Sequence, residues 1–275
     1  MQRELWVYAH AGLCNRWRAL CSALAICQRD DRRLVVCWPP EKGTAKFSGG
    51  FLSPQASFSD LWSNNWAQVS AEDWHALGPL TVPWEESPGE AHRVKVSSYF
   101  FFCTALIEGI GQYAKQFTPS EPVQALIDNL LPTIDEAEQI VGVSIRTIRA
   151  HPVTSKRSSV DSFIDNLLAY FQRFPQAEVF VSAEEERVVS LLAEHFPGRA
   201  FHHQQNPYEW HSKESMQKAL ADLYLLARTD HIIGSEFSSF SAMAHTLKTG
   251  AALQFTSSGC DIRSEFSSDG HPEYR

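Results

Sequence analysis

The spacing of apolar positions changes twice within the first 40 residues. Residues 5–10 and 34–38 are short apolar runs, which predict β-strands. Between them, residues 15–29 repeat apolar side chains at the spacing of one helical face, which predicts an amphipathic helix. The buried positions of that helix would be Trp17, Leu20, Cys21, Leu24 and Cys27. A strand, a helix and a second strand in this order are typical of the βαβ unit of a parallel sheet.

The same alternation is clearer from residue 140 onward. Short apolar runs predict strands at residues 140–145, 179–182, 200–203, 231–233 and 251–255. Helical spacing predicts helices at residues 160–174, 184–196, 213–227 and 239–248. This regular alternation predicts a doubly wound domain, in which ligands bind beyond the carboxyl ends of the strands.

The middle of the chain is less regular. Residues 39–118 are rich in Gly, Ser, Pro and Trp, and they predict irregular loops with a strand near residues 94–102. Such a stretch either shapes a substrate cleft or has no role of its own. A helix is predicted for residues 119–131, and the polar residues 132–139 predict a linker or a crossing.

We therefore expect an α/β protein with two open-sheet domains, residues 1–135 and 136–275. A cleft between them would be the default ligand site. The polar, serine-rich tail after Thr256 would pack back on the first domain or fray.

Charge and composition narrow the range of partners. The 275 residues have a net charge of −8 and no basic block, which makes nucleic acid and anionic membranes poor candidates. No apolar signal run follows the N-terminus, and no stretch approaches the roughly 20 apolar residues of a membrane span. These features predict a soluble cytoplasmic protein.

The cysteines and histidines do not form a metal-binding pattern. The six cysteines contain no Cys-x-x-Cys pair, and no His-Glu-x-x-His occurs. Buried free thiols are the favoured interpretation, and a disulfide stays the alternative. His202 and His203 are adjacent, so their side chains would diverge on a strand. We therefore predict no metal site.

Three polar segments follow predicted strands. The first runs from Gly12 to Arg18, with Asn15 and Arg16 at the start of a helix, where backbone N–H groups can meet an anion. Its alternative is an ordinary helix start with Asn15 as the cap. The second contains Ser144 and Arg146 at the end of a buried strand. A cation there requires a partner, either a diphosphate or an internal carboxylate.

The third segment spans residues 219–247. Asp222 lies among apolar helix residues, where a carboxylate can accept two parallel N–H groups, the pattern of a guanine edge; the alternative is a solvated helix charge. Ser238, Ser239 and Phe240 follow the turn at Gly234 and begin the next helix. They could hold a phosphate, or they could only cap the helix and pack in the core.

Together, these segments resemble the three sequence motifs of the fucosyltransferase superfamily, which includes protein O-fucosyltransferases, α1,6-fucosyltransferases and bacterial nodulation fucosyltransferases. Gly12-x-x-Asn15-Arg16 resembles the first motif, and residues 143–146 resemble the second, in which Arg146 is matched. Residues 222–240 are similar to the third motif of protein O-fucosyltransferases. Residues 39–118 match no motif of this family.

The resemblance implies a GT-B architecture with two Rossmann-like domains, the first on the acceptor side and the second holding a GDP-sugar. It implies an inverting, metal-independent transfer of a sugar, fucose in this family, to a carbohydrate, peptide or small-molecule acceptor. On this basis Arg146 would contact the β-phosphate and stabilise the departing GDP, and Asp222 would bind guanine. The other donor-binding residues would be Gly12, Asn15, Arg16, Ser144, Ser238, Ser239 and Phe240.

The sequence also departs from the family pattern. Ser144 stands where the family usually has His, and Thr147 stands where a second Arg is common, so that Arg149 could supply the missing cation. Candidate general bases are Glu85, Glu86 and His151. These departures leave open a homologue that binds a nucleotide or carbohydrate without transfer. An α/β-hydrolase-like enzyme is a third alternative, although no Gly-x-Ser-x-Gly elbow is present.

Overall fold

A computed structural model describes residues 2–39, 56–77, 91–98, 102, 109–147, 158–203, 212–235 and 238–250. The predicted strand at residues 251–255 and the serine-rich tail lie outside these residues. The candidate bases at positions 85, 86 and 151, the candidate cation at position 149, and two of the cysteines lie outside them as well.

The chain divides into two compact units. Unit 1 comprises Met1–Val123, Tyr208–Gln217 and Thr249–Ala252. Unit 2 comprises Gln124–Pro207, Lys218–Lys248 and Leu253–Arg275. Each unit therefore combines segments that are distant in the sequence.

Unit 1 is built on a parallel sheet of four strands. These strands are β1 (Arg3–Ala9), β2 (Arg32–Cys37), β3 (Ala67–Gln68) and β4 (Arg93–Ser98), and their order in the sheet is β3-β2-β1-β4. The helices are α1 (Leu13–Asp30), α2 (Phe58–Leu61), α3 (Ala71–Ala76) and a 3₁₀ helix (Ile110–Gln116). The βαβ unit predicted for the first 40 residues is confirmed.

Helix α1 is buried on more than the one face that its sequence predicts. Leu5, Val7 and Ala9 of β1 alternate toward the core, as expected for a strand with one covered face. Trp17 of α1 packs against Trp62 and Phe117 at ring distances of 4.5 and 5.4 Å. The helix is therefore enclosed both by the sheet and by aromatic side chains from outside the βαβ unit.

Unit 2 repeats the alternation of strand and helix. Its strands are β5 (Ile140–Ile145), β6 (Glu178–Ala183), β7 (Ala200–Phe201) and β8 (His231–Gly234), all parallel, in the order β7-β6-β5-β8. The helices of this part of the chain are α4 (Glu121–Glu136), α5 (Val160–Arg173), α6 (Glu186–His195), α7 (Lys213–Arg228) and α8 (Ser239–Thr249). The predicted α/β class with parallel sheets is confirmed.

The prediction of a linker or crossing at residues 132–139 is wrong for residues 132–136, and only residues 137–139 connect α4 to β5. Helix α4 continues through Pro132 to Glu136, although proline removes a helix hydrogen bond. Ile127 and Ile134 lie seven residues apart on one helical face, and both are buried. Burial of Ile134 stabilises the turn that follows the proline, and the sequence pattern did not reveal it.

Gly142 of β5 allows helix α7 to approach the sheet closely. A Cβ atom on Gly142 of β5 would lie 2.7 Å from a methyl group of Leu226 and 2.8 Å from the hydroxyl of Thr229. Any larger residue at position 142 would therefore require the side chains of Leu226 and Thr229 to move. Among the described residues, no helix is long and apolar enough to cross a membrane.

Candidate functional site

The carboxyl edge of the unit 2 sheet joins two of the predicted polar segments. Strands β5 and β8 are neighbours, with Ser144 paired to Gly234. Beyond them, the Arg146 N–H donates to the Ser235 hydroxyl at 2.8 Å, and the Ser235 N–H donates to the Ser144 carbonyl at 3.0 Å. The residues after β5 and the residues after β8 therefore hold each other in place.

The start of helix α8 lies against the same edge. Ser238 caps it, because its hydroxyl accepts from the Ser241 N–H at 3.4 Å. A Cβ atom on Gly234 would lie 2.3 Å from the Ser241 Cβ, so only glycine permits this approach. The Ser241 hydroxyl also donates to the Ser144 hydroxyl at 3.2 Å.

The first helical residues of α8 therefore begin beside the end of β5. In the part of the chain that the structure describes, no hydrogen bond is found for the N–H groups of Ser239 and Phe240. Such groups at a helix start carry a partial positive charge and bind anions. The capping role of Ser238 is observed, and it is compatible with an anion at the next two amides.

Arg146 lies at this edge with a partly exposed side chain. Its side chain is 24% exposed, and its Nε atom lies 3.9 Å from an Oε1 atom of Glu184. The second Glu184 oxygen accepts from the Thr147 N–H at 3.1 Å. An internal carboxylate is therefore near Arg146, as one alternative expected, but the separation exceeds that of a hydrogen bond.

Asp222 is not a solvated helix charge; that alternative is wrong. Its side chain is 4% exposed, and one carboxylate oxygen accepts from His203 Nδ1 at 2.6 Å. The other oxygen accepts from the Ser182 hydroxyl at 2.8 Å and from Lys218 Nζ at 3.1 Å. Protein donors on β6, on α7 and after β7 therefore surround both oxygens.

His203 is held between two acceptors. Its Nδ1 atom faces the Asp222 carboxylate, and its Nε2 atom lies 2.9 Å from the Leu126 carbonyl. Both ring nitrogens must carry a proton to make these bonds. Burial alone lowers the pKa of His203, but the hydrogen bond and charge of Asp222 outweigh it, and the pKa is raised. Burial likewise acts to raise the pKa of Asp222, and Lys218 and His203 lower it overall.

The pairing of His203 with Asp222 was missed by sequence reasoning. The two residues stand 19 positions apart, and His203 attracted notice only as the neighbour of His202. The one available signal was Asp222 itself, because a carboxylate between apolar helix positions needs a buried partner.

In unit 1 the first polar segment has a different arrangement. Gly12 is the residue before α1, and it forms no side-chain cap. Asn15 is not the cap either; it lies within the first turn, and its Oδ1 atom accepts from Arg18. The cap prediction is wrong because the helix begins two residues earlier than its apolar pattern, at Leu13.

Arg16 is fully buried. Its Nε atom donates to the Ala11 carbonyl and its Nη1 atom to the Pro39 carbonyl, both at 2.8 Å. The guanidinium also lies over the Trp38 ring, 4.9 Å from its centroid. Ala11 has φ 68°, a left-handed conformation that is uncommon outside glycine. Arg16 therefore ties a strained turn after β1 to the end of β2.

The remaining sequence expectations concern thiols and metals. Cys14, Cys21, Cys27 and Cys37 are buried free thiols, in agreement with the favoured interpretation for those four. Within the described ranges, no three His, Cys, Asp or Glu side chains are grouped so that they could hold a metal ion.

This chain is similar to known proteins in fold but not in sequence. No family model matches this chain, and no curated protein matches it in sequence. Among solved structures, the fucosyltransferase NodZ from Bradyrhizobium is 16% identical, with a TM-score of 0.61 over 89% of this chain and 93% of that chain. A variant of Arabidopsis thaliana FUT1 in complex with GDP is 14% identical, with a TM-score of 0.60 over 90% of this chain and 69% of that chain.

A third match is POFUT1 in complex with GDP, 13% identical, with a TM-score of 0.56 over 90% of this chain and 94% of that chain. A further NodZ structure, soaked with GDP-fucose, has a TM-score of 0.62 at 15% identity. At these identities the likeness concerns the fold. The fucosyltransferase-like fold that the motif resemblance implied is confirmed.

Proposed function

We propose that this chain is a GDP-sugar glycosyltransferase that transfers fucose to an acceptor hydroxyl. The observation that carries the proposal is the edge of unit 2 where Arg146, Ser144, Ser235 and the start of α8 are hydrogen-bonded into one arrangement. A guanidinium beside a helix start suits a diphosphate. The shared fold supports this, because solved structures with that fold hold GDP or GDP-fucose.

In the proposed reaction, Arg146 stabilises the departing GDP. Breaking the bond between sugar and diphosphate builds negative charge on the leaving oxygens, and a positioned cation lowers the energy of that state. The amides of Ser239 and Phe240 bind the same diphosphate, while Ser144 and Ser238 hold the loop and the helix in place. Because these groups supply positive charge, we propose that the transfer needs no metal ion. The motif resemblance supports the further proposal that the transfer is inverting.

Asp222 receives a different role from the one that the motif resemblance implies. Both of its oxygens already accept from buried protein donors, so a guanine contact would have to compete with them. We propose that Asp222 supports the nucleoside side of the site by fixing His203 and β6, without touching guanine.

For unit 1 we propose the acceptor side of the enzyme, with a carbohydrate, peptide or small molecule as the acceptor. Gly12 and Asn15 stay candidate donor ligands. Arg16 is assigned to the backbone instead, because its guanidinium binds two carbonyls in a buried position.

A nucleotide screen tests the proposal directly. Thermal unfolding is measured with GDP, UDP, ADP and GDP-fucose. A ligand at 100 times its dissociation constant adds roughly 2.7 kcal/mol to the free energy of unfolding. We expect GDP and GDP-fucose to stabilise the protein, and UDP and ADP not to do so. On incubation, GDP should be released from GDP-fucose. EDTA should not alter the rate of that release.

Other results of the same screen have distinct meanings. Stabilisation by GDP without release of GDP from GDP-fucose would favour a binding protein that has lost transfer, the alternative that Ser144 and Thr147 suggest. No stabilisation by any nucleotide would contradict both functions.

A further inference from the structure

We propose that Glu184 is a positioning residue that orients Arg146 for the leaving-group step. This inference rests on the proposed function, because it takes Arg146 as the group that stabilises departing GDP. No motif singled out Glu184 in the sequence, and its role follows from the geometry at the carboxyl edge of unit 2.

The two neighbouring strands of β5 hold Arg146 from opposite sides. On one side, Ser235 follows β8 and accepts the Arg146 N–H at 2.8 Å. On the other side, Glu184 follows β6, where Ala183 is paired with Ile145. One Glu184 oxygen accepts the Thr147 N–H at 3.1 Å, and the other lies 3.9 Å from the Arg146 Nε. Glu184 therefore acts on both the backbone and the guanidinium.

The ion pair between Glu184 and Arg146 orients the guanidinium more than it neutralises the charge of the guanidinium. At 3.9 Å the carboxylate and Nε are beyond hydrogen-bond distance, and the side chains of Arg146 and Glu184 are 24% and 25% exposed. Water screens a pair of this kind, so it binds weakly. The carboxylate approaches the Nε side, whereas bidentate binding of a phosphate uses two parallel N–H groups of the fork. A diphosphate can thus compete for a guanidinium whose direction is already set.

The loop offers a graded set of variants. Glu184→Gln keeps an oxygen for the Thr147 N–H but removes the charge beside Arg146. Glu184→Ala removes both. Glu186→Gln is the matched control, because Glu186 is exposed and stands only two residues away.

We expect the two Glu184 variants to separate GDP binding from catalysis. Loss of a negative charge near the diphosphate should tighten GDP binding about two- to fivefold in Glu184→Gln. Loss of orientation should lower kcat roughly 10- to 100-fold in Glu184→Ala, with a smaller change in KM for GDP-fucose. Glu186→Gln should match the wild type in all three quantities.

The experiment measures kcat, KM and the GDP dissociation constant for these proteins, each also in the Arg146→Ala background, with the melting temperature as the check on folding. If Glu184 acts through Arg146, Glu184→Ala should lower kcat in the wild type and add almost nothing in that background. An equal loss in both backgrounds, or a folded Glu184→Ala protein with wild-type kcat, would overturn the inference while leaving the proposed function intact.

Two further outcomes complete the test. If Glu184→Ala does not fold, Glu184→Gln decides alone: unaltered GDP affinity together with unaltered kcat overturns the inference. A wild-type protein that neither binds GDP nor releases it from GDP-fucose overturns the proposed function and the inference together.

Discussion

Arg16 and Arg146 both follow a strand of a parallel sheet, yet they have opposite environments. Arg16 in unit 1 is fully buried and donates to two backbone carbonyls. Arg146 in unit 2 is 24% exposed, and its recorded ion pair with Glu184 is long, at 3.9 Å. The same residue type thus serves the protein backbone in the first turns of α1 in unit 1, and suits a ligand at the sheet edge of unit 2.

The difference shows that a place in a polar segment after a strand does not by itself make an arginine an anion ligand. A guanidinium that satisfies buried carbonyls cannot leave them without leaving unpaired polar groups behind. A guanidinium beside a screened carboxylate at a sheet edge can bind a phosphate through its fork at small cost. Replacing Arg146 should therefore lower activity, whereas replacing Arg16 should lower stability.

The largest expected effect concerns Arg146. Arg146→Ala should lower the rate of sugar transfer on the order of 10²–10³-fold, because the departing GDP loses a positioned charge. The melting temperature should change little, since the side chain is partly exposed. Steady-state transfer assays and thermal unfolding measure the two quantities.

Arg187→Ala is the matched control for this change. It removes the same charge from a side chain that is 78% exposed and pairs only with its neighbour Glu185 among the contacts recorded for it. Transfer by Arg146→Ala at the rate of Arg187→Ala would remove Arg146 from the mechanism.

A comparable loss, but of stability, is expected at Arg16. Arg16→Ala removes the guanidinium that donates to the Ala11 carbonyl and to the buried Pro39 carbonyl, and it leaves a cavity beside Trp38. We expect the free energy of unfolding to fall by about 3 kcal/mol, measured by urea denaturation. The folded fraction should still bind GDP.

Arg29→Ala provides the comparison within the same helix. Arg29 pairs with the adjacent Asp30 near the end of α1, so its loss should change the free energy of unfolding by less than about 0.5 kcal/mol. If Arg16→Ala is as stable as Arg29→Ala but loses GDP binding, the contrast between Arg16 and Arg146 is wrong.

The smallest expected effect is a pH dependence that arises from His203. Its pKa is raised in the folded protein, so its contribution to stability is complete below the ordinary histidine value of about 6.5. That contribution is lost as the pH rises through the raised pKa. Asp222, whose pKa is lowered, contributes throughout this range and loses its contribution only in acid.

The measurement compares the wild type with His203→Gln by urea denaturation from about pH 5 to pH 9. The difference in free energy of unfolding should shrink as the pH rises. His195→Gln, which alters an exposed histidine, should show no such trend. A difference between the wild type and His203→Gln that is constant across this range would mean that His203 is not held as an imidazolium.

Much of the fold could be predicted because its signals are local. The apolar runs of β5 and β6 and the helical spacing of α1 and α5 lie within single segments, and their bounds agree with the structure to within three residues. The end of α4 could not be predicted, because the burial of Ile134 outweighs the local effect of Pro132. The place of Ser144 and Arg146 at the carboxyl edge of the sheet followed from a general rule about strand ends, whereas their bonds to Ser235 did not.

The partner that each charged side chain binds could not be predicted from the sequence. Arg16 binds a carbonyl 23 positions away, and Asp222 binds a serine 40 positions away. Glu184, 37 residues after Thr147, carries no motif. Such partners are chosen when distant strands meet in a sheet, and periodicity contains no information about them.

The amino-acid sequence was sufficient to predict the βαβ unit of unit 1, the strands and helices of unit 2 that alternate along the chain, and the three polar segments after strands. Spacing and turn residues carry this information because they act over a few neighbours. The tertiary structure alone decided which of the polar residues are enclosed. Burial removes water from a charge, and the charge must then be paired by whichever group the fold places beside it. That requirement separates Arg16 and Asp222, which hold the interior, from Arg146, which lies at the edge of the sheet.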